Sequence, residues 1–222
     1  NGSVATVNAS TGLVTAVGAG TCNIIYTVTG GCGGTKTASQ PYTVTPTANA
    51  GTVAAGTTPQ CIGATTTYTV SGVVLGGGSG AWSSSNGTVA SVNASTGVVT
   101  AVGAGTCNII YTVTGGCGGT KTASKPYTVT PTASAGTVAA GTTPQCIGAT
   151  TTYTVSGVVL GGGSGAWSSS NGSVATVNAS TGLVTAVGAG TCNIIYTVTG
   201  GCGGTKTASK PYTVTPTANA GT

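Results

Sequence analysis

The sequence predicts an all-β fold, a string of small two-sheet sandwiches, and three observations carry that prediction. The first is repetition. NGSVATVNASTGLVTAVGAGTCNIIYTV starts at Asn1, returns as NGTVASVNASTGVVTAVGAGTCNIIYTV at Asn86 and returns in its first form at Asn171, a period of 85 residues. Residues 1–44 and 86–129 differ at only four positions, Ser3/Thr88, Thr6/Ser91, Leu13/Val98 and Gln40/Lys125, and each exchange keeps size or polarity. Self-similarity at a fixed period marks modules that stack or string together, so function belongs to the unit and to its repetition. The second is local composition: short runs of Thr, Val, Ile and Tyr separated by Gly, Pro, Asn and Ser clusters, the pattern of strands and turns. The third is alternation, with Ile109, Tyr111 and Val113 on one face of a strand and Asn108, Ile110 and Thr112 on the other.

Reading from the linker, residues 45–129 and 130–214 are complete repeats, 1–44 is the C-terminal half of a repeat and 215–222 is the start of the next. Strands are expected over 50–55, 64–71, 81–84, 89–92, 97–102, 106–114 and 120–130. In the second of these Tyr68 and Val70 share a face with Thr66. The last two are joined by Gly115-Gly116-Cys117-Gly118-Gly119, a hairpin tip in which glycine permits positive φ. Seven strands in one repeat give a sandwich of immunoglobulin type. Residues 1–44 lack the first three strands and are expected not to bury a core alone, and 215–222 is too short to supply them. The chain is therefore expected to be an internal stretch of a longer polymer.

Composition excludes much chemistry. The chain contains no Asp, Glu or His, its five cationic residues are all lysines, and it has no Met. General acid–base catalysis relies on imidazole and carboxylates, and hard cations need carboxylate oxygens. No enzymatic activity, metal or other cofactor is expected. Lys36, Lys121, Lys125, Lys206 and Lys210 give a net charge of +5, too dispersed for a nucleic-acid footprint; they fit an exposed edge strand kept soluble by charge. No apolar run is long enough to span a membrane. No export signal is present either, but the chain starts in the middle of a repeat.

Eight cysteines, at positions 22, 32, 61, 107, 117, 146, 192 and 202, obey the 85-residue period. Their spacings lack the paired knuckles of a zinc site, so disulfides are expected, and with them an oxidising, extracellular setting. Strand direction puts Cys61 and Cys107 at one end of a repeat and Cys117 at the other, beyond bridging distance at about 3.3 Å per residue. The expected bonds are Cys61–Cys107 and Cys146–Cys192, each worth about 4 kcal/mol by chain entropy. Cys22 would then find its partner upstream of Asn1. The tip cysteines Cys32, Cys117 and Cys202 are left for links between modules or chains. A competing scheme ties Cys61 or Cys107 to Cys202, because in a head-to-tail string each tip faces the sulfur-bearing end of the preceding module.

Trp82-Ser83-Ser84-Ser85-Asn86, Val89-Ala90-Ser91-Val92, Thr96-Gly97-Val98-Val99-Thr100-Ala101-Val102, Gly105-Thr106 and Ile109-Ile110-Tyr111 occur in that order. Together they resemble the bacterial immunoglobulin-like group 2 repeat over about half of each module. The flanking Ala50-Gly51-Thr52-Val53 and Cys61-Ile62-Gly63-Ala64-Thr65-Thr66-Thr67 resemble the form found in long secreted surface proteins of Bacteroidetes. The resemblance implies export and a role as adhesin, gliding filament or cell-surface stalk. Cys107 departs from it, standing where a small residue such as Ala is expected, as does the absence of acidic residues.

Several features admit a ligand reading and a plainer one. Trp82 and Trp167 can stack on a glycan, but in a chain without Phe each is read as the largest core side chain. Thr65-Thr66-Thr67 is read as β-propensity on a solvent face rather than a hydroxyl array. The sequons Asn86-Gly87-Thr88 and Asn93-Ala94-Ser95 are read as turns. A lysine–asparagine isopeptide bond lacks the neighbouring carboxyl group that its proton transfers need. The expected function is that of a structural segment in an extracellular fibre, stalk or surface filament, disulfide-reinforced, whose partners are neighbouring repeats or copies of itself. The alternatives are adhesin modules that bind a glycan or host protein directly, and a spacer in a secreted enzyme. Binding modules diverge in their loops, and these loops barely vary.

Overall fold

The computed structural model describes residues 1–218, and its regular elements are all strands. Two immunoglobulin-like sandwiches and an N-terminal group of four strands follow one another along the chain. In the first sandwich one sheet has the order Gln60–Cys61, Lys121–Thr130, Gly105–Thr114, Ser79–Ser84. The facing layer consists of Ala90–Val92, Val98–Ala101 and Thr65–Thr67, continued by the pair Thr52–Ala54 and Thr69–Ser71. The second sandwich repeats this arrangement, its first sheet running Gln145–Cys146, Lys206–Thr215, Gly190–Thr199, Ser164–Ser169.

The predicted alternation sets the core. Cys107, Ile109 and Val113 point inward from Gly105–Thr114; Cys107 and Ile109 meet Val53, Tyr68, Val99 and Ala101 of the opposite layer and Tyr127 and Val129 of the next strand, whereas Val113 packs with Ala48 and Ala50 in a smaller cluster. Trp82 lies in this core, opposite Tyr111 in register and edge-on to it at 5.0 Å between ring centroids. It is a packing residue, not an exposed platform.

Expected and observed strands differ in two places. The run expected over 64–71 breaks at Tyr68, whose N–H donates to the Gly97 carbonyl. Thr65–Thr67 pairs with Val98–Ala101, whereas Thr69–Ser71 crosses to Thr52–Ala54. One strand therefore serves two ribbons, with a buried tyrosine at the switch. The second difference is Gln60–Cys61, absent from the expected strands. It runs parallel to the end of Lys121–Thr130, with Cys61 beside Thr130, and Thr58 Oγ1 accepts the Thr128 N–H at 3.0 Å. Two residues carry no readable periodicity.

The turns behave as their residues dictate. Asn93 Oδ1 accepts the N–H groups of Ser95 and Thr96, Asn86 Oδ1 accepts from Thr88, and Gly97 adopts φ +72°. Lys125 and Pro126 lie on the stretch of Lys121–Thr130 that has no outer neighbour, where a charge and a missing donor discourage edge pairing.

The N-terminal strands keep the repeat's register. Gly20–Val28 pairs with Lys36–Val44, and Ala5–Val7 with Val14–Ala16. Their inner face is open. Val28 is 48% exposed and Tyr26 72%, whereas Val113, the counterpart of Val28, is fully buried. A cleft of about 590 Å³ bordered by Val7, Ile24, Tyr26 and Ala38 occupies the place that Ser79–Ser84 and its neighbours fill in the first sandwich.

Candidate functional site

The most distinctive chemistry in the fold is at the joint between the two sandwiches. Chain order gives one crossing there: Thr130 ends the first sandwich, and Pro131, Thr132 and Ala133 lead into the second. Proline after Thr130 ends the ladder, since it has no N–H to give. Ala133 then donates its N–H to the Cys202 carbonyl at 2.7 Å, and Cys202 donates its own to the Gly161 carbonyl at 2.8 Å. Three residues therefore separate the end of one sheet from the tip of the next sandwich's last hairpin.

The second crossing is covalent. Cys61 is bonded to Cys202, with 5.4 Å between Cα atoms and 141 residues between them in sequence. Cys61 is the strand neighbour of Thr130, and Cys202 is the hydrogen-bond partner of Ala133. The disulfide and the linker thus connect the same two places side by side. Positive φ at Gly200, Gly203 and Gly204 lets the tip bend around Cys202, and a Cβ on Gly201 would meet the Leu160 carbonyl oxygen and Ala133.

This pairing replaces the expected Cys61–Cys107 bond, and nothing joins Cys146 to Cys192. The reason is the strand that sequence reasoning missed. Gln60–Cys61 places Cys61 at the outer edge of the sheet, with the whole of Lys121–Thr130 between it and Gly105–Thr114. Two strand spacings are about 9.6 Å, beyond the Cα separation a disulfide tolerates. Cys107 meanwhile points into the core, 7% exposed, opposite Tyr127 and accepting a hydrogen bond from Ser84 Oγ at 3.6 Å. Cys192 is buried in the same way in the second sandwich. A usable signal was present: the parity that sends Ile109 and Val113 inward sends Cys107 inward too.

The remaining thiols divide by environment. Cys22 is half-buried, and Cys32, Cys117 and Cys146 are exposed. Cys117 sits at a tip, its carbonyl accepting from the Ala48 N–H at 2.7 Å, as Cys202 accepts from Ala133. Cys146 neighbours Thr215 as Cys61 neighbours Thr130. Of the tip cysteines, Cys202 is the one bonded among the described residues, to Cys61.

Each sandwich also carries a tyrosine pair. Tyr68 meets Tyr127 edge-on at 6.0 Å, and its hydroxyl donates to the Pro126 carbonyl at 2.8 Å. Burial, reinforced by Tyr127 and Cys107, pushes the Tyr68 pKa up to about 12. Burial also raises that of Tyr127, whose hydroxyl has no partner among the described residues. Among the described residues no cluster of His, Cys, Asp or Glu stands ready to hold a metal ion, and no helix is long and apolar enough to cross a membrane.

The bacterial Ig-like domain (group 2) family model matches residues 123–209. No curated protein matches the chain. Among solved structures, mouse cadherin-23 EC22-24 is 12% identical, with 96% of this chain and 83% of that chain covered and a TM-score of 0.41. A C-terminal fragment of intimin, in complex with the intimin-binding domain of its translocated receptor, is 18% identical, with 74% and 64% covered and a TM-score of 0.39. Domains 1–6 of the surface layer protein SbsC are 16% identical, with 95% and 37% covered and a TM-score of 0.33. The chain thus spans under two thirds of the intimin fragment and little more than a third of SbsC.

Proposed function

We propose that the chain is a structural segment of an extracellular fibre, stalk or surface filament, and that its modules, framed as 45–129 and 130–214, transmit tension. The observation that carries this reading is the Cys61–Cys202 bridge beside the three-residue linker. A joint held by backbone alone turns about the dihedrals of that linker. A second covalent tie at the same joint removes most of that freedom and gives the load another path. The bond also speaks for an oxidising compartment outside the cytosol, in keeping with the bacterial immunoglobulin-like match. The near-identity of repeats favours mechanical repetition over direct recognition, because the loops that would distinguish binding modules barely vary between copies.

Stretching single molecules by their ends tests this. With the bridge closed, the 141 residues it spans cannot be drawn out, which at up to about 3.6 Å per residue conceals roughly 500 Å of contour. The final extension should grow by that length on reduction and in Cys61→Ser. Equal extensions for the oxidised and reduced chains would sink the proposal.

A further inference from the structure

We propose that Asn86 and Asn171 are self-modifying sites: each cyclises onto the nitrogen of the glycine that follows it and hydrolyses to aspartate or isoaspartate. Each sandwich thereby acquires a side-chain carboxylate, a group the translated sequence lacks. The inference is independent of the fibre reading. Asn86-Gly87 lies in the turn between Ser79–Ser84 and Ala90–Val92, and Asn171-Gly172 in the turn between Ser164–Ser169 and Ala175–Val177. Both residues of each pair are exposed. The asparagine is fixed and the glycine is not. Asn86 donates its N–H to Ser84 Oγ at 3.2 Å, and its carbonyl accepts from the N–H groups of Val89 and Ala90, both buried. Among the described residues no backbone partner holds the N–H or the carbonyl of Gly87, and a Cβ there would meet nothing within 4 Å. The nitrogen that must attack is therefore open to solvent base, and its peptide can turn towards the side chain without breaking a backbone bond.

The amide to be attacked is already polarised. Asn86 Oδ1 accepts the Thr88 N–H at 3.0 Å and the Thr88 hydroxyl at 2.7 Å, and Asn171 Oδ1 accepts the same pair of bonds from Ser173. Negative charge builds on this oxygen as the glycine nitrogen adds to Cγ, so the two donors favour the adduct. The glycine N–H gives its proton to base, the N–Cγ bond forms, the Cγ–Nδ2 bond breaks and ammonia leaves. Water then opens the cyclic imide at Cγ to give aspartate, or at the main-chain carbonyl to give isoaspartate. One water is consumed and one ammonia released, and nothing is oxidised or reduced. Aspartate keeps the turn, because a carboxylate oxygen accepts the same N–H as the amide oxygen it replaces.

Asn93 and Asn178 serve as internal controls. Their Oδ1 atoms also accept two N–H groups each. The residue that follows is alanine, however, and its carbonyl accepts the N–H of a buried tryptophan at 2.9 Å, Ala94 from Trp82 and Ala179 from Trp167. That peptide is anchored to the core, and its Cβ crowds the nitrogen.

The test is to age the whole 222-residue chain in mildly alkaline buffer, reduce it, digest it with trypsin and locate the change by fragment mass spectrometry. Digestion in heavy-oxygen water marks any change that arises during handling. Peptides 37–121 and 122–206 should each gain about 1 Da, placed at Asn86 and Asn171 and not at Asn93 or Asn178. An isoaspartyl methyltransferase should methylate part of the product. Gly87→Ala should slow the change at Asn86 by about tenfold or more while Asn171 keeps its rate. The folded chain should change at least as fast as the same chain in denaturant, since only the fold holds donors on Oδ1. No gain at Asn86 and Asn171, an equal gain at Asn93 and Asn178, an unaltered rate in Gly87→Ala, or a folded chain slower than the denatured one would overturn the proposal.

Discussion

The Tyr68 hydroxyl donates to the carbonyl oxygen of Pro126 at 2.8 Å, tying the layer that contains the chain's switch point to Lys121–Thr130 of the opposite sheet. Tyr153 makes the same bond to Pro211 in the second sandwich. The proline has no N–H to offer a neighbour, but its carbonyl is an acceptor that the fold uses from within.

Burial of that hydroxyl sets an alkaline limit on stability. The folded-state pKa of Tyr68 is pushed from 10.0 up to about 12, chiefly by burial. The folded protein therefore holds the phenolic proton more tightly than the unfolded chain does. The resulting stability is present in full below about pH 10 and is lost as pH rises towards about 12. Unfolding midpoints in denaturant measured across that window should fall, and Tyr68→Phe combined with Tyr153→Phe should flatten the fall. At neutral pH each single substitution should cost about 1 kcal/mol. A wild-type midpoint that does not change up to pH 12 would contradict the assignment.

Gly97 and Gly87 make a paired test of backbone demand. Gly97 has φ +72°, and a Cβ there would meet the Tyr68 carbonyl oxygen and stand 3.0 Å from the Trp82 ring. Gly87 has nothing within 4 Å and no such φ. Thermal melts should show Gly97→Ala losing more than about 1 kcal/mol, whereas Gly87→Ala stays near neutral or gains a few tenths. Equal effects would show that the turn at Asn93–Gly97 does not control packing of the tryptophan.

Cys107 separates the two disulfide schemes without any change at the joint. In the structure it is a core residue with no bond, so Cys107→Ala should remove packing worth about 1 kcal/mol and leave the Cys61–Cys202 linkage intact. If Cys61 became a free thiol in the oxidised variant, or gained a new partner, Cys107 would have been its true partner.

Much of the fold was legible in the sequence because the signals were local. Alternation in Gly105–Thr114, the glycine tip at 115–119 and the Asn93 turn each draw on neighbouring residues alone, and their bounds agree within a residue or two. The switch at Tyr68 was not legible. Thr65–Ser71 reads as one β-rich run, and only the two partners on either side, Val98–Ala101 and Thr52–Ala54, divide it. The joint was half legible. Strand direction brought Cys61 and Cys202 to the same place, but the choice of partner turned on Gln60–Cys61, a two-residue parallel contact with Val129 and Thr130 next to the Thr58–Thr128 hydrogen bond, whose partners are seventy positions apart.

A tryptic digest of the oxidised chain under non-reducing conditions reads out the covalent tie across the joint. Trypsin cuts after Lys36, Lys121 and Lys206 and spares the bonds before Pro126 and Pro211, so Cys61, Cys107 and Cys117 fall in peptide 37–121 and Cys146, Cys192 and Cys202 in peptide 122–206. These two peptides should emerge from one chain as a single species that a reductant separates, and Cys61→Ser or Cys202→Ser should free them. Two separate peptides, each with an internal bridge, would restore Cys61–Cys107 and Cys146–Cys192 and contradict the stapled joint.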